Sequence, residues 1–106
     1  MSKTALVVEF QIKPGRRDEF VALIRQHAAA SLQHSDGCLQ FDVMVPKEQQ
    51  FDAPSHQPDP NRVILFEMYR DEAAFQVHVN SPRVAKTRSS YADLVVSRKI
   101  YRCAVQ

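Results

Sequence analysis

The chain has 106 residues, 44% of them hydrophobic and 25% charged, with a net charge of +2. That length suits one domain, residues 1–106, with one modest core. Acidic and basic residues interleave, which argues against a nucleic-acid surface, and no apolar run nears the roughly 20 residues of a membrane span.

Thr4–Ile12 alternates. Leu6, Val8, Phe10 and Ile12 fall on one face and Ala5, Val7, Glu9 and Gln11 on the other, the pattern of a half-buried strand. Met1-Ser2-Lys3-Thr4 leads straight into it without an apolar leader, which favours a cytoplasmic protein. Pro14-Gly15 breaks the strand. Residues 16–33 predict a helix, because Phe20, Leu23, Ile24, His27, Ala28 and Ser31 form one stripe. Ser35-Asp36-Gly37 ends it, with Gly37 as the left-handed or tight-turn residue. Residues 38–45 alternate again, Leu39, Phe41, Val43 and Val45 against Cys38, Gln40, Asp42 and Met44.

Segment 46–62 holds Pro46, Pro54, Pro58 and Pro60 and a single aromatic, Phe51. It reads as a flap over a pocket, pinned by Phe51, or as a surface insertion. Residues 63–70 are apolar on both faces and carry one acid, Glu67, on the face of Val63, Leu65 and Tyr69. A strand buried on both sides needs a cover on each. A carboxylate in it must be paired, protonated or at work. Asp71 is a natural N-cap for a helix running to about Asn80. Ser81 as N-cap and Pro82 at the first position start a second helical segment to about Leu94, with Val84, Thr87 and Tyr91 on one face. Residues 95–105 form the last strand.

The order βαββαβ predicts an α+β, ferredoxin-like fold with an antiparallel sheet. Its helices cover one sheet face. Val7, Phe41 or its neighbours, and the alternate side of 63–70 keep the other face apolar, which predicts a homodimer paired sheet to sheet. Cys38 and Cys103 have no metal spacing and read as reduced thiols in small strand positions.

Three stretches carry a family pattern: Gly37-Cys38-Leu39-Gln40-Phe41-Asp42-Val43, then Glu67-Met68-Tyr69-Arg70-Asp71-Glu72-Ala73-Ala74-Phe75, then His78-Val79-Asn80-Ser81-Pro82. In order and spacing, over nearly the whole chain, they resemble the antibiotic biosynthesis monooxygenase (ABM) family. The resemblance implies a dimeric ferredoxin-like protein with its pocket between sheet and helices. It spans several chemistries: cofactor-free oxygenation of polyketide quinols and anthrones, quinol oxygenation, haem degradation, and isomerisation of the phosphorylated autoinducer-2 signal. The chain departs from the pattern in two ways. It has no tryptophan, which the haem-degrading branch uses, so that branch is set aside. The 46–62 segment is longer than usual for the family, so carry-over of a substrate across the pocket mouth does not follow.

Gly15 and Gly37 are the only glycines, too few for a phosphate loop or a dinucleotide fingerprint, and no Cys/His cluster has metal spacing. The expectation is no bound cofactor and no metal. The hard chemistry then comes from the substrate. A deprotonated phenol, quinol or anthrone can pass an electron to dioxygen, and the protein supplies a base and an apolar pocket. His78 is the first candidate for base or hydrogen-bonding partner, and it is the histidine that the resemblance points to. Glu67 could hold a histidine in one tautomer, polarise a substrate hydroxyl, or pair with Arg70 or a neighbouring chain's Arg102. His27, in the helical stripe, could also reach the pocket. Tyr69 could stack on a ring, with Phe41, Phe51 and Phe75 as further substrate contacts. His34 and His56 read as solvated. Arg83, Lys86 and Arg88 either neutralise a phosphate or form a solvated helix face.

Three readings follow. The first is a cofactor-independent monooxygenase that oxidises a quinol-like or polyphenolic aromatic with dioxygen. The second is an isomerase that moves a proton through an enediolate in a small phosphorylated hydroxy-dicarbonyl compound. The third is a dimeric module that binds a ligand without turning it over.

Overall fold

The computed structural model of the protein describes residues 2–47 and 59–106. The elements run β1 (Thr4–Ile12), α1 (Arg17–His34), β2 (Cys38–Met44), β3 (Arg62–Tyr69), α2 (Glu72–Val79), α3 (Pro82–Tyr91), a 3-10 turn (Ala92–Leu94) and β4 (Val95–Ala104). All strand pairs are antiparallel, in the order β2-β3-β1-β4. This is the ferredoxin-like α+β arrangement expected from the element order. Phe51 and the rest of 48–58 lie outside the described residues, and the flap reading lies there with them. Among the described residues no helix is long and apolar enough to cross a membrane.

Pairing of the two central strands brings their alternations into phase. Leu6 stands opposite Glu67, Val8 opposite Leu65 and Phe10 opposite Val63. All six side chains are buried and meet the apolar stripe of α1 (Phe20, Ile24, Ala28) together with Tyr91 of α3. The Tyr91 ring meets Phe10 and Phe20 edge-on, at centroid distances of 5.6 and 5.2 Å. Fully burying a side chain such as Phe20 or Val63 stabilises the fold by about 1.5–3 kcal/mol each, so this layer anchors everything above it.

Local signals set the helix ends. The Asp71 carboxylate accepts from the Ala74 N–H at 2.8 Å and starts α2. The Ser81 hydroxyl accepts from the Val84 N–H at 3.4 Å and starts α3, with Pro82 in the first turn. α3 ends at Tyr91, and its last turn tightens into the 3-10 turn before β4.

β2 departs from simple alternation. Cys38 pairs with Tyr69 and Gln40 with Met68, so an extra residue sits between them. This bulge turns Leu39 outward, where it is 49% exposed, and packs Cys38 against the core beside Phe41. The reading that grouped Leu39 with Phe41 fails for this reason, since a bulge reverses facing on one side of it.

The sheet face away from the helices carries Val7, Ile64, Phe66 and Met68, all half-buried, with Met44 and Tyr101 exposed. β4 is exposed along most of its length.

The α1–β2 turn depends on Gly37, at φ +84°. A Cβ there would lie 2.5 Å from the Cβ of Ala74 on α2, so the position needs both the left-handed backbone and the empty space. Gly15, at φ +76°, has nothing within 4 Å of such a Cβ. Gly37→Ala is therefore expected to destabilise by about 2–5 kcal/mol, a backbone cost plus overpacking. Gly15→Ala should carry only the backbone part, about 1–2 kcal/mol. Urea denaturation of the two variants checks the difference, and equal losses would refute the steric account.

Candidate functional site

Glu67 occupies the middle of the sheet. It stands opposite Leu6 on β1 and Phe41 on β2, points toward the helices, and is 6% exposed. Tyr69, two residues on and so on the same face, donates its hydroxyl to Glu67 Oε1 at 2.6 Å. Glu67 thus has an intrastrand phenol as partner rather than an arginine. Arg70 faces Asp36 and Asp71 instead, and Arg102 pairs with Glu72 at 2.7 Å. Phe75 of α2 is buried and packs edge-on against Tyr69, at a centroid distance of 5.5 Å.

His78 comes from the last turn of α2 and His27 from the middle of α1. Their ring centroids lie 5.7 Å apart. His78 also lies 5.1 Å from Tyr69, and His27 lies 5.5 Å from Phe41. The fold therefore gathers Glu67, Tyr69, Phe41, Phe75, His27 and His78 into one group. His34 is exposed and takes no part.

The two histidines are held differently. Ser31 donates its hydroxyl proton to the His27 carbonyl at 2.8 Å, so toward His27 Nε2 its oxygen can only accept, across a long 3.5 Å. The proton of the neutral His27 ring then sits on Nε2, and Nδ1 accepts from the Thr87 hydroxyl at 3.1 Å. Both ring nitrogens of His27 are engaged. His78 has only Nδ1 engaged, with the Ser35 hydroxyl at 2.9 Å, and Ser35 in turn accepts from the Arg83 guanidinium. His78 Nε2 has no protein partner among the described residues. The sequence set Ser31 in the α1 stripe and Ser35 in the turn after it but gave neither a role in the site, because that role depends on which elements the fold sets beside each hydroxyl.

A cavity of about 60 Å3 opens on this group, where a single water needs about 10–15 Å3 by the same measure. Glu67, His78, His27, Phe41 and Phe75 line it, and Arg88, Arg98 and Ile100 carry its wall toward β4. Among the described residues no three His, Cys, Asp or Glu side chains converge as metal ligands would.

The family model for antibiotic biosynthesis monooxygenases matches residues 4–89. The chain belongs to the antibiotic biosynthesis monooxygenase family. Similar folds occur in two candidate antibiotic biosynthesis monooxygenases. The one from Bacteroides thetaiotaomicron has 24% identity and TM-score 0.78, with 96% of this chain and 88% of that one covered. The one from Nitrosomonas europaea has 19% identity and TM-score 0.82, with 98% and 90% covered. A Mycobacterium tuberculosis protein matches at 22% identity and TM-score 0.79, with 99% and 96% covered. At these identities the structures establish the fold, and the ABM family supports a monooxygenase at the level of the family.

Electrostatics in this ABM site follow from burial. Burial first, then the Arg83 and Arg88 guanidinium groups, lowers His27 to a pKa of about 4. Burial, then His27, Arg83 and Arg88, does the same to His78. Both rings are neutral at pH 7. Burial raises Glu67 above the usual carboxylate range, while the Tyr69 hydroxyl and Arg88 pull it part of the way back. Burial, with Glu67 alongside, raises Tyr69 as well, so it stays a phenol and a donor.

Acidification from pH 6.5 toward about 4 is expected to destabilise the fold. The unfolded chain binds the histidine protons first, so the contribution of the neutral rings is whole above pH 6.5 and drains away as pH falls toward about 4. Glu67 acts in the opposite sense, since its raised pKa makes the folded chain the better proton binder there. Glu67→Gln removes that opposing contribution, so in this variant melting temperatures across the range should fall, and His27→Gln added to it should flatten the fall. A melting temperature independent of pH would refute the account.

Proposed function

We propose that the protein is a cofactor-independent monooxygenase acting on a quinol-like or polyphenolic aromatic. The observation that carries the reading is a desolvated carboxylate, Glu67, on the wall of an aromatic-lined cavity beside a neutral histidine with a free ring nitrogen.

A general base works best with a pKa near the working pH. His78, at about 4, sits well below it, whereas Glu67 is raised toward it. We therefore assign proton abstraction to Glu67. Tyr69 holds Oε1 and fixes the carboxylate on its strand, leaving the other oxygen for the substrate proton. His78 Nε2 is the hydrogen-bonding partner of the substrate oxygen, with Ser35 and Arg83 holding the ring. His27, with both nitrogens engaged, shapes the wall. Phe41 and Phe75 flank the aromatic ring.

The steps balance without another reductant. Glu67 takes a proton from the substrate, and the anion gives one electron to dioxygen. The resulting radicals combine into a carbon–oxygen bond, and the peroxide is protonated. Loss of the remaining hydrogen on that carbon as a proton breaks the O–O bond, leaving a carbonyl and releasing water. All four electrons that reduce dioxygen come from the substrate carbon as it becomes a carbonyl; one oxygen atom stays on carbon and the other leaves as water. The apolar wall raises the energy of a charged resting carboxylate and strengthens hydrogen bonds to the substrate anion.

The apolar outer sheet face supports a homodimer paired sheet to sheet. A monomer would leave Phe66, Met68, Val7 and Tyr101 facing water. Phe66→Glu is expected to give a monomer by sedimentation, and a variant that stays dimeric would refute the sheet-to-sheet pairing.

Oxygen uptake with dihydroxynaphthalenes, anthrones and simple quinols, without added flavin or metal, tests the activity. Uptake should be fast in the parent protein, fall about 100- to 10,000-fold in Glu67→Gln, and fall less in His78→Ala. No uptake above the buffer rate would overturn the oxygenase reading for these substrates. Uptake unchanged in both variants would overturn the assignment of the site.

A further inference from the structure

Of the nine arginines, Arg16, Arg62, Arg70 and Arg102 each face a carboxylate within 4 Å, while Arg17 donates to the Asp59 carbonyl and Arg83 to the Ser35 hydroxyl. Arg88 and Arg98 have no carboxylate partner among the described residues, and both line the cavity, Arg88 from α3 and Arg98 from β4. The one carboxylate among the described lining residues is Glu67, and its Oε1 is already bonded to Tyr69. The two lining histidines are neutral at pH 7 and add no charge, and Arg88 acts on Glu67, so a single carboxyl faces two guanidinium groups. An apolar cavity with positive charge on two opposing walls is shaped for an anion.

Position along the sheet says where that charge belongs. Glu67 stands opposite Leu6, and Arg98 stands opposite Phe10 on the other side of β1. Leu6 to Phe10 spans about 13 Å of strand. Less the reach of the arginine side chain, this leaves the length of a fused two-ring system between the reactive group and the guanidinium. The space between is walled by Leu6, Val8, Leu65 and Ile100, which fits rings rather than a polar chain. Arg88 lies in the last turn of α3, where the carbonyl end of the helix carries partial negative charge. That end penalises an anion in proportion to its charge, so a monoanionic carboxylate is disfavoured less than a dianionic phosphate.

We infer that the substrate is a fused hydroxyaromatic bearing a carboxylate at the end away from its reacting hydroxyl, with Arg88 and Arg98 as the specificity-determining pair that holds it. This rests on the reading of the site as an aromatic oxygenase and names the substrate class it selects.

Binding, rather than turnover, tests it. A hydroxynaphthoate with hydroxyl and carboxylate at opposite ends of the rings is titrated calorimetrically into the full chain, against the naphthol that lacks the carboxylate. The hydroxynaphthoate should bind about ten- to a hundredfold more tightly. The advantage should shrink with added salt and vanish in Arg88→Gln/Arg98→Gln, while naphthol binding and the melting temperature stay unchanged. Equal affinities for the two ligands would overturn the anion site and leave the aromatic pocket standing. A loss of both ligands in the double variant would overturn it too, since the arginines would then be shaping the wall. Tighter binding of the matching naphthyl phosphate would overturn the carboxylate in favour of a phosphate. If neither naphthalene binds, the proposal falls together with the aromatic reading beneath it.

Discussion

One buried carboxyl organises the molecule. Glu67 sits on a central strand with apolar neighbours on both sides, and an ionised group there is costly unless its charge is shared or its proton kept. The solution is local. Alternation along β3 places the Tyr69 hydroxyl within reach of the same face, so a neutral donor satisfies the acid without a second buried charge. The cavity opens beside that pair, with His27 and His78 on its wall. An arginine partner in place of Tyr69 would have held the acid ionised and made it a weaker base.

The two histidines show how a helical stripe and a helix end lead to different outcomes. His27 lies mid-helix, where hydroxyl groups from its own helix and from α3 bind both nitrogens. His78 lies in a final turn, where only the α1–β2 turn reaches it. Equal burial thus leaves one ring committed and the other with one nitrogen unpartnered among the described residues. The Arg83–Ser35–His78 chain gives that second ring an orientation, since Arg83 can only donate and Ser35 must accept from it.

Much of the fold was legible because its signals are local and periodic. The alternation of β1 and β3, the stripe of α1, and the caps Asp71 and Ser81 each report a single element, and the elements come out where those patterns place them. The grouping of Glu67, Tyr69, Phe41, Phe75, His27 and His78 also followed, since each lies on the inward face of its own element. What could not be read were relations between elements. Leu39 matches the alternation of β2, but a bulge set by pairing with β3 turns it out. Arg98 looks like any charged residue on an edge strand until pairing with β1 sets it opposite Phe10. Family membership supplied the class of chemistry, which no periodicity encodes.

The bulge in β2 has a chemical side as well. By turning Leu39 outward it carries the Cys38 sulfur under the sheet, where burial and then the nearby Glu67 raise the thiol's pKa. Peroxides attack the thiolate far faster than the thiol. A one-residue irregularity in strand pairing therefore gives this cysteine a built-in resistance to sulfenic acid formation, beside a site proposed to handle activated oxygen. Cys103, by contrast, lies exposed on β4.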